Sequence, residues 1–195
     1  MRYTKYMQLS KRIFNLETET AFSILAKANE LASRGKDIIN LGIGQPDFVT
    51  PINIQEAAIK AIKDGKHGYT PSNGIPELRA AVSDMLFKDY NACIDPDNIL
   101  ITPGGKPVIF ISALIFGNTD SEIIYPDPGF PIYRSMIKYS GAKPVPLFLE
   151  EEDNFEINID KLKKLINNKT KLIIINNPNN PTGSFMKKEK IDKIV

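Results

Sequence analysis

Three short segments hold residue types that could bind a ligand. Asn176-Asn177-Pro178-Asn179-Asn180-Pro181-Thr182-Gly183 sets four asparagines around two prolines. A plain turn needs one or two such residues, so the surplus amides suggest donation to a ligand oxygen, with the prolines limiting their freedom. Thr102-Pro103-Gly104-Gly105-Lys106 precedes a helical pattern. Glycines let a backbone approach an anion, and a helix N-terminus offers unpaired N–H groups and a positive dipole end. The segment has the chemistry of a phosphate cradle, but it matches neither G-x-x-x-x-G-K-[ST] nor G-x-G-x-x-G. A tight strand-to-helix turn accounts for the glycines equally well. In Tyr125-Pro126-Asp127-Pro128-Gly129-Phe130-Pro131-Ile132-Tyr133, three prolines fix the backbone around Phe130. An aromatic held there could stack on a flat ring, although alone it also reads as core.

Other chemistries are poorly supplied. The single histidine, His67, sits in the turn sequence Gly65-Lys66-His67-Gly68, and Cys93 is the single cysteine. An internal disulfide is impossible, a zinc site of several Cys and His ligands is excluded within one chain, and no metal is expected. One cysteine fits a reducing compartment, so the cytoplasm is the expected location. The 195 residues are 42% hydrophobic and 25% charged with net charge +2, ordinary globular values that exclude a disordered or collagen-like chain. Nothing in the charge pattern marks a nucleic-acid or anionic-membrane partner. No run reaches the ~18–20 apolar residues of a membrane span, and the basic Met1–Arg12 lacks the apolar run and cleavage site of a secretory signal.

The elements that must position these segments follow from periodicity. The first twenty residues read as irregular. Helices are expected over 21–34, closed by Gly35, over 54–63, and from Pro76 onward. Thereafter strands at 99–102, 122–125, 143–149 and 171–176 alternate with helices at 105–116, 132–139, 160–166 and 187–195, the third of these capped by Asn158 or Asp160. Such alternation implies an α/β fold with a mainly parallel sheet. The strand at 171–176 is the most apolar and should be buried on both faces. Ligands of such sheets bind beyond the carboxyl ends of the strands, where all three segments lie. The last helix pattern reaches Val195 with no C-cap, so the expectation is the front part of a longer protein, or a truncated relative of one.

Five segments also match a known family in order. They are Leu41-Gly42-Ile43-Gly44-Gln45-Pro46-Asp47-Phe48, Gly68-Tyr69-Thr70-Pro71-Ser72-Asn73-Gly74-Ile75-Pro76-Glu77-Leu78-Arg79, Thr102–Lys106, Asp127–Tyr133 and Asn177–Gly183. With them the chain resembles the N-terminal portion of the class I/II aminotransferases, fold type I enzymes that use pyridoxal 5′-phosphate (PLP). The resemblance implies a three-layer α/β/α fold with a mainly parallel sheet. Residues 1–45 would be an N-terminal arm and small-domain segment, and residues 46–195 an incomplete large PLP-binding domain. It implies that Gly104, Gly105 and Lys106 hold the PLP phosphate, that Phe130 stacks on the pyridine ring, and that Asn180 hydrogen-bonds the ring's phenolic oxygen. Tyr69 would reach the phosphate of a neighbouring subunit, hence a homodimer, and the Gly44 N–H would meet the substrate carboxylate. Many relatives carry a hydroxyl where Lys106 stands.

The implied activity is amino-group transfer from an amino acid to a 2-oxo acid. None of the lysines here stands in the family's Schiff-base lysine motif, so no catalytic residue is assigned and the chain alone is expected to be inactive and poorly soluble. Two alternatives stand beside this: a catalytically silent PLP-binding or scaffolding chain, and an unrelated phosphate- or nucleotide-binding α/β protein, supported only by Gly104-Gly105.

Overall fold

The structure, a computed structural model, describes residues 8–16 and 20–195. Residues 1–7 and 17–19 of the expected arm lie outside the described residues. The chain divides into two units, Thr20–Pro103 on the one hand, and Met1–Glu19 with Gly104–Val195 on the other.

The unit of residues 20–103 holds α1 (Thr20–Ser33), α2 (Ile52–Lys63), α3 (Pro76–Tyr90) and a 3-10 turn at Pro96–Asn98. Pro76 stands in the first turn of α3, where a missing N–H costs nothing. Arg79 of α3 is buried, and its Nη1 donates to Pro96 O at 2.7 Å and to Asp97 Oδ1 at 2.8 Å, tying the helix to the turn. The strand expected at 99–102 does not form. Its donors are used outside any sheet: Ile99 N–H donates back to Pro96 O at 3.2 Å and Ile101 N–H to Asn73 O at 3.1 Å. Ile101 also packs onto Gly74, whose φ is +102° and whose Cβ, if present, would lie 2.6 Å from Ile101 Cγ1.

The other unit holds, in chain order, α4 (Lys106–Phe116), β1 (Glu122–Asp127), α5 (Ile132–Ser140), β2 (Lys143–Phe148), α6 (Ile159–Leu165), β3 (Thr170–Ile173) and α7 (Lys188–Ile191). The strands pair in parallel in the order β2-β1-β3. Parallel neighbours need crossovers, and α5 and α6 supply them. Alternation along β1 splits the core into two clusters. Ile123 and Tyr125 face Ala113 of α4 and Tyr133 and Ile137 of α5, whereas Ile124 joins Val145, Leu147, Leu162 and Met186. Helices thus cover both faces of the sheet, and the three-layer α/β/α fold is observed. Asn158 caps α6, its Oδ1 accepting from Asp160 N at 3.1 Å and Lys161 N at 3.2 Å.

Three expectations need correction. The strand buried on both faces is β1, with Ile123 and Ile124 fully buried, because it has a neighbour on each side. β3 pairs only with β1 among the described residues and is half-buried in spite of its apolar sequence. The stretch before residue 20 is not wholly irregular: Lys11–Asn15 forms a 3-10 helix, with Ser10 Oγ accepting from Arg12 N at 3.4 Å, and it packs against α5. α7 ends at Ile191, short of the expected 187–195; Ile191 and Ile194 still pack inward, while Val195 is exposed.

Candidate functional site

The start of α4 is built from glycine and left open. Gly104 has a φ of +81°, in the left-handed region that suits a residue without a Cβ. Gly105 is the N-cap and makes no side-chain cap bond, and a Cβ at either glycine would meet nothing within 4 Å. The first turn contains no acidic residue. Lys106 and the helix dipole therefore make this end of the 11-residue helix electropositive.

The second segment leaves β1 through a cis Asp127–Pro128 bond. Phe130 is half-buried against the α4–α5 cluster. Its ring meets Tyr133 edge-on, with centroids 5.9 Å apart and planes at 84°. Tyr133 is buried, and burial pushes its phenol pKa above the ordinary value, because the charged form would lose hydration. Lys106 Nζ lies 5.8 Å from the centroid of the Phe130 ring, within cation–π range. The α4 start and the Phe130 segment therefore meet.

The third segment differs from the reading of surplus amides. Three of its four asparagines serve the loop. Asn177 Oδ1 accepts from Met186 N at 2.8 Å and its Nδ2 donates to Met186 O at 3.2 Å, as a strand partner would. The Asn176 amide satisfies both of its atoms with nitrogen donating to Pro178 O at 3.2 Å and oxygen accepting from Asn180 N at 3.0 Å. Asn179 is buried, and its Nδ2 donates to Thr182 Oγ1 at 2.9 Å and across to Pro128 O at 3.3 Å. The bonds before Pro178 and Pro181 are cis, and the loop's backbone groups outside a strand or helix find side-chain partners instead. Asn177 and Asn180 are both exposed, and Asn180 alone of the four has no hydrogen bond from its side chain among the described residues.

Gly104, Gly105, Lys106, Phe130 and Asn180 all belong to the unit that contains the sheet, and the Lys106–Phe130 and Asn179–Pro128 contacts link their three segments. Tyr69 and Gly44 belong to the other unit, where both are exposed. Sequence reasoning quoted Asn179 and Tyr133 but gave them no role. The doubled asparagine was the one local signal for Asn179, and it cannot tell a buried amide from an exposed one. His67 is exposed in its turn, and Cys93 is exposed. Among the described residues no group of three or more His, Cys, Asp and Glu could hold a metal ion, and no helix is long and apolar enough to cross a membrane.

Comparison with known proteins bears on what this arrangement serves. The family model for aminotransferase class I and II matches residues 36–195. A probable aspartate/prephenate aminotransferase of Aquifex aeolicus is 38% identical over 186 residues, which is 95% of this chain and 47% of that protein. A probable aspartate aminotransferase of Methanocaldococcus jannaschii is 45% identical over 155 residues, 80% of this chain and 41% of the relative. Among solved structures, aspartate aminotransferase from Thermus thermophilus with maleate superimposes with a TM-score of 0.91 at 31% identity, covering 96% of this chain and 49% of that one. The chain spans about half the length of the relatives it matches.

Proposed function

Because the chain belongs to the class I and II aminotransferases, we propose that the protein moves an amino group from an amino acid to a 2-oxo acid with PLP as cofactor, and that residues 104–180 hold that cofactor. The observation that carries the reading is the meeting of three loops, marked by Lys106 Nζ 5.8 Å from the Phe130 ring and Asn179 Nδ2 3.3 Å from Pro128 O. PLP presents a phosphate, a flat ring and a phenolic oxygen. The loops offer a group for each: an open glycine helix start, a half-exposed aromatic ring and an exposed carboxamide. The donor set fits the group.

In this reading the α4 start binds the phosphate through the N–H groups of Gly104, Gly105 and Lys106, helped by the dipole and the lysine charge. Phe130 stacks on the ring and sets its tilt, while Tyr133 supports Phe130 from the side. Asn180 Nδ2 donates to the phenolic oxygen and fixes the ring's rotation. When bound, PLP supplies the electron sink for reaction at the amino acid's α-carbon. Tyr69 reaches the phosphate of a second subunit, so the protein works as a homodimer, and the Gly44 N–H receives the substrate carboxylate. Residues 1–45 form an arm and small-domain segment beside a large domain from residue 46 on. No lysine here stands in the family's lysine motif, so the covalent step falls to residues outside this set. The protein is placed in the cytoplasm, which suits a lone exposed cysteine.

The test is an absorbance titration with PLP on the protein as its gene encodes it. Phe130→Ala should weaken binding about three- to tenfold, the worth of an aromatic stack, and Asn180→Ala about tenfold, the worth of one good hydrogen bond. Unchanged affinity in both variants would remove these roles. Thermal protection by a nucleotide, with none from PLP, would replace the reading with that of a phosphate- or nucleotide-binding α/β protein.

A further inference from the structure

We propose that Asn179, to which the reading above gives no contact with the cofactor, is a positioning residue of that site: its buried carboxamide clamps the Asn176–Gly183 loop to the Asp127–Pro131 loop and so fixes Asn180 relative to Phe130. The inference rests on the reading of these residues as a PLP site. Asn179 is only 6% exposed. Its backbone is held on both sides, with its N–H donating to Ser184 O at 2.9 Å and its carbonyl accepting from Gly183 N at 2.7 Å. Its Nδ2 then spends both protons, one on Pro128 O at 3.3 Å and one on Thr182 Oγ1 at 2.9 Å. Pro128 stands two residues before Phe130, and Asn179 immediately precedes Asn180.

The proton count gives the network a direction. Ser184 Oγ donates its one proton to Phe155 O at 2.7 Å. In the 2.9 Å pair of hydroxyls, Thr182 must therefore be the donor to Ser184. The Thr182 lone pairs are then left for Asn179 Nδ2 and for Ser184 N at 3.3 Å. Pro128, Asn179, Thr182, Ser184 and Phe155 form one line of hydrogen bonds whose protons point away from Asn179, to Pro128 O on one side and through Thr182 and Ser184 to Phe155 O on the other. It runs from the Phe130 loop through the asparagine loop to the segment before α6.

Stability alone is a poor reason for an amide here. Asn179 Oδ1 is buried and has no hydrogen-bond partner among the described residues. An unpaired buried acceptor costs stability, and an apolar side chain of the same size would avoid that cost. What a leucine cannot give is a directed link between two loops. Asn179 supplies that link at the point where the separation of a stacking ring and a hydrogen-bonding amide is set.

The test uses PLP itself as the probe on the protein as its gene encodes it, with Asn179→Leu, Phe130→Ala and the double variant. Asn179→Leu should weaken PLP binding about tenfold, as for loss of a directed hydrogen bond. It should also shift the absorption band of bound PLP in the same direction as Asn180→Ala. Phe130→Ala should then cost far less in the Asn179→Leu background than in the unchanged protein, since contacting and coupled residues do not add. Thr182→Val, which removes one acceptor and keeps the shape, should show a smaller effect of the same sign, and it decides the matter if Asn179→Leu does not fold. Additive losses with an unshifted band mean that Asn179 is only structural and overturn the inference. So does unchanged affinity in Asn179→Leu while Phe130→Ala weakens binding. If Phe130→Ala and Asn180→Ala are both without effect, the reading of the site fails and this inference falls with it.

Discussion

α5 and α2 are both helices with an apolar stripe, yet they end in opposite conditions. In α5, Tyr133, Ser135, Ile137 and Ser140 are buried, the first and third against β1. In α2 no residue is buried, and Ile52 and Ile62 are 67% and 75% exposed. The same contrast holds between the units: among the described residues, both core clusters of buried side chains lie in the unit with the sheet. An amphipathic stripe specifies which face of a helix must be covered, but not what covers it. α5 follows β1 by a short loop and lies back on it; α2 has no such strand beside it in its own unit.

The largest effect that sharpens this contrast is in the core. Ile124→Ala should destabilise the protein by about 2–5 kcal/mol, the usual cost of emptying a packed site, whereas Ile62→Ala should cost less than about 0.5 kcal/mol, as exposed positions do. Urea unfolding of the two variants measures both, and an equal loss would break the comparison. Next comes the tight point in the unit of residues 20–103. Gly74→Ala puts a Cβ 2.6 Å from Ile101 Cγ1 at a φ of +102°, and about 1–3 kcal/mol of strain should appear as a lower melting temperature. Gly104→Ala has nothing within 4 Å of its new Cβ and should cost less, its φ strain alone.

The smallest effect is an acid dependence at the end of the sheet opposite the site. Glu122 takes a hydrogen bond from Lys143 Nζ at 2.8 Å and another from Asn167 Nδ2 at 2.9 Å, and these hold its pKa below the ordinary 4.5. A carboxyl lowered by folding adds stability above its unfolded value and loses it as pH falls through the folded value. The stability difference between the unchanged protein and Glu122→Gln should therefore be constant above pH 4.5 and shrink below it. A difference that grows on acidification would contradict the assignment.

Much of the fold was legible in the residues. The helices at α1 to α6, the strands β1 to β3 and the Asn158 cap follow from periodicity and capping chemistry, which act over a few residues. The strand expected at 99–102 failed because apolar alternation cannot show that Ile101 N–H is taken by Asn73 O in a loop distant in sequence. Of the site, the three loops were visible as segments, and Phe130 and Asn180 as candidates. Asn179 was not separable from Asn180, since the two residues are identical in type and adjacent, and burial of one alone is a property of the folded loop.

The sequence by itself determined the family, the alternation of helix and strand, and the three segments that gather at the strand ends, because these depend on residue type, order and short-range geometry. Only the tertiary structure decided that β1 rather than β3 is the central strand, and that three of the four asparagines spend their amides on the loop while that of Asn180 is left exposed. Both follow from which chain segments become neighbours. A strand is buried by what lies on each side of it, and an amide is committed by the donors and acceptors that folding brings within reach.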